Sequence, residues 1–115
     1  MGDRVSVQFR TGEETSVVLF SHWGGMDLVK AATEHARILL DERTKTGPSR
    51  PLDRMEPGTV MVDFIASIAA DRGPGRIKSD LYLGASPEDG DNGDNGHFVI
   101  DIDPVAGTAA ARRSA

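Results

Sequence analysis

Apolar and polar residues alternate from Arg4 to Arg10: Val5, Val7 and Phe9 fall on one side, and Arg4, Ser6, Gln8 and Arg10 on the other. That period of two predicts a strand with one face in a core. Thr11-Gly12-Glu13-Glu14 reads as a turn, and residues 15–21 (TSVVLFS) as a second, more apolar strand. So short a connection makes an antiparallel hairpin the natural pairing. After His22-Trp23-Gly24-Gly25 the period lengthens. Over 26–43, Leu28, Ala32, His35/Ala36 and Leu39 share one stripe, with Val29 and Leu40 beside it. This is the apolar face of a helix.

Residues 44–58 (TKTGPSRPLDRMEPG) carry three prolines and two glycines and read as an exposed loop. A second helix is expected from Gly58 to about Asp71, with Thr59 as N-cap and Met61, Phe64, Ile65 and Ile68 facing the core. Arg72-Gly73-Pro74-Gly75 stops it. Residues 80–84 (DLYLG) read as a short third strand and 85–96 (ASPEDGDNGDNG) as a solvated hairpin loop. In 97–103 (HFVIDID), Phe98, Ile100 and Ile102 face one way and His97, Val99, Asp101 and Asp103 the other; Pro104 closes the strand. The order β-β-α-α-β-β predicts one small α+β domain over 1–103. In it an antiparallel sheet of two hairpins carries both helices on one face. Residues 104–115 are too poor in large apolar side chains to predict more than a flexible tail.

Composition narrows the classes of function. A chain of 115 residues suits one domain with its own core. The absence of cysteine excludes disulfides, Cys-held metals and thiol nucleophiles, and fits a reducing compartment. No apolar run approaches the ~20 residues that span a bilayer, and the N-terminus lacks a signal-peptide layout. The expectation is a soluble, cytoplasmic protein without a membrane partner. A net charge of -5 argues against a broad nucleic-acid-binding face. A small basic spot, Arg72, Arg76 and Lys78, precedes an acidic stretch from Glu88 to Asp103. Both read first as solvated surface.

Candidate chemistry centres on His22, Trp23, Gly24 and Gly25. Two glycines between a strand and a helix allow unusual backbone angles and close approach to a ligand. The N–H groups opening a helix can hold an anion, and an imidazole and an indole beside them suit a phosphate or a base. The competing reading is a tight structural corner, with Trp23 in the core and His22 bonded to backbone. The corner has neither the Lys-Ser/Thr of a phosphate-binding loop nor three-glycine dinucleotide spacing. The acidic loop fails the EF-hand pattern whether read from Asp89 or from Asp91, although its oxygens could take calcium adventitiously. His97, Asp101 and Asp103 share a strand face, which could serve a metal or a proton transfer, or be its wet side. The three histidines show no ligand spacing, and no serine sits in a nucleophile elbow. The sequence therefore calls for no catalytic residue, metal or cofactor.

The corner His22 to Gly25 resembles that of a group of small archaeal, bacterial and phage proteins. They share a His-Trp-Gly/Asp-Gly corner after a hairpin, a second apolar helix (here Val60 to Ala70) and a glycine turn (Gly73 to Gly75). They also share Asp-Asn before a late strand, here Asp94-Asn95 ahead of Phe98-Val99-Ile100. The resemblance spans most of residues 4–103 and implies organisation without an activity. This chain departs from it in the Pro-rich and acidic loops, so no loop-borne site carries over. The functional expectation is a non-catalytic binding or interaction module, with a protein partner or as a homo-oligomer. The alternative is a nucleotide- or phosphate-binding, or hydrolytic, domain acting through the corner.

Overall fold

A computed structural model describes residues 2–43, 50–69 and 80–114. The chain is a small domain of mixed α and β structure. Its strands are β1 (Val5–Thr11), β2 (Glu14–Thr15), β3 (Val18–Ser21), β4 (Leu81–Gly84), β5 (His97–Asp103) and β6 (Thr108–Ser114); its helices are α1 (Gly25–Glu42) and α2 (Pro57–Ile68). The strands form one sheet in the order β4-β3-β1-β5-β6, with β2 paired to the end of β1. Among the described residues no helix is long and apolar enough to cross a membrane.

Val5, Val7, Phe9, Leu19, Ile100, Ile102 and Ala109 form one buried cluster with the apolar stripes of both helices. Phe9 meets Phe64 of α2 edge-on, ring centroids 5.8 Å apart. Pro57 opens α2, at a position where a missing N–H costs nothing. The helix therefore starts ahead of the expected Thr59 cap.

Three expectations about the sheet need correction. The two-hairpin antiparallel sheet is not what forms. β5 pairs with β1 in parallel, from Ser6↔His97 to Thr11↔Ile102, and β4 pairs with β3 instead of β5. Alternation says which face a strand buries, not which strand lies beside it, so the pattern is silent on this choice. The second correction is within the first hairpin. The register steps from Arg10↔Thr15 to Val7↔Leu19, one extra residue on the returning strand. Ser16 and Val17 thus form a bulge. Ser16 Oγ accepts from the Phe9 N–H at 3.0 Å and donates to the Val17 carbonyl at 2.7 Å. The bulge puts Leu19 and Ser21 on the helix face and Val18 and Phe20 on the opposite face. The third correction concerns the tail. Thr108–Ser114 is a full strand, paired to β5 from Asp103↔Thr108 to His97↔Ser114. Asp103 organises the intervening turn, its Oδ1 accepting from the Val105 and Ala106 N–H groups at 3.0 Å each. Gly107 completes it at φ +73°.

The 85–96 loop is not a hairpin. It leaves β4 at one side of the sheet and enters β5 beyond β3 and β1, crossing the face opposite the helices. Phe20 and Tyr82 stack there at 4.9 Å, and a side chain at Gly90 would meet both rings at 2.7 Å. The loop therefore serves as a thin second layer. Of the Pro-rich loop, residues 50–56 are described. Met55 is buried at φ +57°, its carbonyl accepting from Thr11 Oγ1 at 2.6 Å. Residues 44–49 and the spot Arg72, Arg76 and Lys78 lie outside the described residues.

Phe64 is 1% exposed and Val62, on the same helix, 68%. Phe64→Ala is expected to cost about 3–5 kcal/mol of unfolding free energy in urea. Val62→Ala is expected to stay within about 0.5 kcal/mol. Equal losses would mean that α2 does not pack as described.

Candidate functional site

The corner is built on Ser21. Its Oγ accepts from the N–H of Gly24 at 2.8 Å and of Trp23 at 3.3 Å, and donates to Asp80 Oδ2 at 3.0 Å. The Gly25 N–H donates to the Asp3 carbonyl at 2.9 Å and the His22 N–H to that of Asp80 at 3.1 Å. All four N–H groups from His22 to Gly25 thus have partners inside the chain. Gly25 sits at φ +53°, where a side chain would strike the Asp3 carboxylate at 2.1 Å. The second glycine is required by packing against the N-terminal segment.

Trp23 does not enter the core; it is 62% exposed. The His22 ring lies against Tyr82, centroids 5.3 Å apart. An exposed indole is a surface that can stack on a flat ligand.

A second polar cluster lies under the 85–96 loop, where the parallel register sets Ser6 and Gln8 beside His97. Asn92 Nδ2 donates to Ser6 Oγ at 2.8 Å, and Ser6 Oγ lies 2.7 Å from His97 Nδ1. His97 Nε2 lies 2.7 Å from Gln8 Oε1, while Gln8 Nε2 donates to the Ser16 carbonyl at 3.1 Å. That last bond fixes the amide, so Oε1 must accept and His97 Nε2 must carry the proton. A neutral ring then accepts at Nδ1 from the Ser6 hydroxyl. Burial holds the His97 pKa below the ordinary histidine value; Glu88 opposes the shift and Arg112 adds to it. Serine against histidine is the pairing of a nucleophile and its base. Here Ser6 has no exposed surface, and the third group is a neutral amide. The cluster joins loop to sheet.

Comparison with family models, curated proteins and solved structures finds no match to this chain. Its reading rests on its own geometry.

His97 does not converge with Asp101, which pairs with Arg112, nor with Asp103, which is spent in the turn. The acidic loop is clasped by Arg4. Its Nε donates to Asp94 Oδ2 at 2.9 Å and its Nη1 to Asp91 Oδ2 at 2.5 Å. The Arg4 N–H adds a bond to Asp94 Oδ2 at 2.9 Å, and Asn95 Nδ2 donates to Asp3 Oδ1. Side-chain and backbone bonds from Arg4 lower the Asp94 pKa to about 2. His35, expected to be partly buried, bonds Asp63 across the two helices at 2.8 Å. Among the described residues no three metal-ligating side chains gather. A concavity of about 550 Å³ opens at the loop's edge between Glu88, Asn92, His97 and Arg113. Sequence reasoning does not single out Arg4, Ser6, Gln8 or Asn92. Their partners lie some ninety residues away, and the only local signal is that Ser6 and Gln8 are the polar positions of β1.

Both titrations have a definite sign. Unfolded Asp takes up its proton near 3.9, so the Asp94 clasp stabilises the fold above that pH and is lost as pH falls toward about 2. The depressed His97 likewise contributes above about 6.5, and that contribution is lost on acidification through its lowered pKa. NMR titration is expected to place His97 below 6.5 and Asp94 near 2. In Arg4→Met, Asp94 should return toward about 3.9 with His97 unmoved. An Asp94 that stays near 2 in that variant would show that the Arg4 side chain is not what holds it.

Proposed function

We propose that this chain is a non-catalytic interaction module that recognises its partner through the edge of its sheet. The observation that carries this reading is β6. It is seven residues long, ends the sheet, and no described strand pairs with its outer side. Alternate N–H and C=O groups along such an edge offer a ladder to an extended segment, the basis of recognition by strand addition. The devices that commonly blunt an edge are few. β6 has no proline, and its register with β5 runs without a bulge. Arg37 Nε of α1, which meets the Ala109 carbonyl at 3.1 Å from outside the ladder, is a side-chain guard at one end. Backbone amides of β6 are expected to exchange more slowly with deuterium when extended heptapeptides are added or the protein is concentrated. Exchange that neither changes would remove the edge as a recognition element.

A second reading has one observation in its favour. The exposed Trp23 at the His22-Trp23-Gly24-Gly25 corner supports nucleotide or phosphate binding. An anion there would have to compete with Ser21 Oγ and the Asp3 carbonyl for the N–H groups. This places the reading second. Trp23 is the only tryptophan, so its fluorescence reports on the corner alone. A saturable change with nucleotides or phosphate, lost in His22→Ala, would move this reading to first place. An emission that no such ligand perturbs would leave the corner structural.

A further inference from the structure

The loop before β5 contains a short tandem repeat, Asp91-Asn92-Gly93 followed by Asp94-Asn95-Gly96. Asparagine before glycine is where a backbone nitrogen reaches the preceding side chain most readily, because glycine puts no Cβ in the path. The glycine nitrogen bonds to the asparagine Cγ as it sheds its proton. Nδ2 takes up a proton and leaves as ammonia, which closes a succinimide ring. Water then opens either ring C–N bond and leaves an aspartyl or an isoaspartyl link. Water is the only co-reactant. Two identical triplets have the same intrinsic reactivity, so a difference between them is set by the fold. We infer that Asn92 is a site of this spontaneous modification in the folded chain and that Asn95 is protected from it.

The attacking nitrogens are held differently. The Gly96 N–H donates to the Asn92 carbonyl at 2.7 Å, and the Gly96 carbonyl accepts from the Ser6 N–H at 3.2 Å. Gly96 is thus tied down on both sides as it enters β5. Asn95 is fixed as well. Its N–H donates to the Arg4 carbonyl at 2.9 Å, and its Nδ2 donates to that carbonyl at 3.0 Å and to Asp3 Oδ1. Bringing Gly96 N onto Asn95 Cγ requires these bonds to open. Gly93 is exposed, and no described group bonds its carbonyl. Its N–H meets only a side chain, Asp91 Oδ1 at 3.0 Å, a half-exposed carboxylate placed to accept the proton as the ring closes.

The reaction alters the cluster beneath the loop. Asn92 Nδ2 donates to Ser6 Oγ at 2.8 Å and to the Pro87 carbonyl at 3.3 Å. These bonds hold the leaving group, so the folded chain reacts more slowly at Asn92 than an unfolded one. Afterwards a carboxylate, which accepts and cannot donate, stands in place of the amide. It repels the Pro87 carbonyl and competes with His97 Nδ1 for the Ser6 hydroxyl proton. The charged groups already around His97 are Glu88 of the loop and Arg112 and Arg113 of β6. A new negative charge across Ser6 acts with Glu88 and favours the protonated ring. The modification therefore removes the bonds that fasten Asn92 to β1 and to Pro87.

The full chain is kept in mildly alkaline buffer with and without denaturing urea. Aged samples are digested beside a fresh control. Tandem mass spectrometry reads the amide-to-acid mass increase, and the isoaspartyl link, at each asparagine. Expected in the folded chain is conversion of Asn92 faster than Asn95 by about tenfold or more, since several backbone bonds must open before Gly96 can attack. In urea the two rates should be nearly equal. Gly93→Ala, whose added methyl meets only Asp91 Oδ1 at 3.2 Å, should lose the folded-state reaction at Asn92. Asn92→Asp stands for the aspartyl product, and in it His97 should titrate higher than in the unaltered chain by NMR. If that variant does not fold, the aged chain gives the same reading. Asn95 converting as fast as Asn92 in the folded chain would overturn the inference. So would an Asn92 that stays intact there while both react in urea. A His97 titration unchanged by Asn92→Asp would overturn the link to the cluster.

Discussion

The parallel ladder between β1 and β5 is the constraint on which the rest of this structure depends. Parallel neighbours cannot be joined by a tight turn, so everything between them must cross over the sheet. Here the crossing is divided. The two helices cover one face and supply the apolar layer around Phe9 and Phe64. The 85–96 loop returns across the other face. With β5 beside β1, Ser6 and Gln8 meet His97 and Arg4 meets the acidic loop. None of these contacts could form in a sheet of two separate hairpins.

A thin layer of chain stands in for packing on the loop face, and polar contacts do what side-chain burial does opposite. The loop has few apolar residues to bury, so its position is set by directional bonds: Arg4 to Asp91 and Asp94, Asn92 to Ser6, Asn95 to Asp3. Such bonds add little net stability each, yet they define one geometry. They also use up the groups that looked reactive. Asp103, His97 and Ser6 are each committed to turn, loop or sheet. The corner after β3 is organised in the same way, by one buried hydroxyl that accepts two backbone N–H groups.

β6 is the element least legible in the sequence, and five of its seven residues are exposed in the structure. TAAARRS has no alternation and little β propensity. It becomes a strand because β5, a strongly alternating neighbour, offers a free edge seven residues long and because Asp103 turns the chain back. Having completed the sheet on one side, β6 inherits the unsatisfied edge on the other. A strand made by its neighbour thus carries the proposed recognition surface.

By itself the sequence determined what is local. Alternation in β1 and β5 marked the strands and their buried faces, the longer period marked α1 and α2, and the absence of cysteine and of any spanning apolar run bounded the class. The glycines at 24 and 25 marked the corner, and one chemical part of it, the tight turn, was readable there. Tertiary structure alone decided which strands are neighbours, that β1 and β5 run parallel, that the tail is a strand, and that Trp23 faces outward. The physical reason is that periodicity records which side of an element is buried, a property of neighbouring residues. Pairing is decided by backbone groups that are the same at every position and by crossover chain whose path only the whole fold constrains.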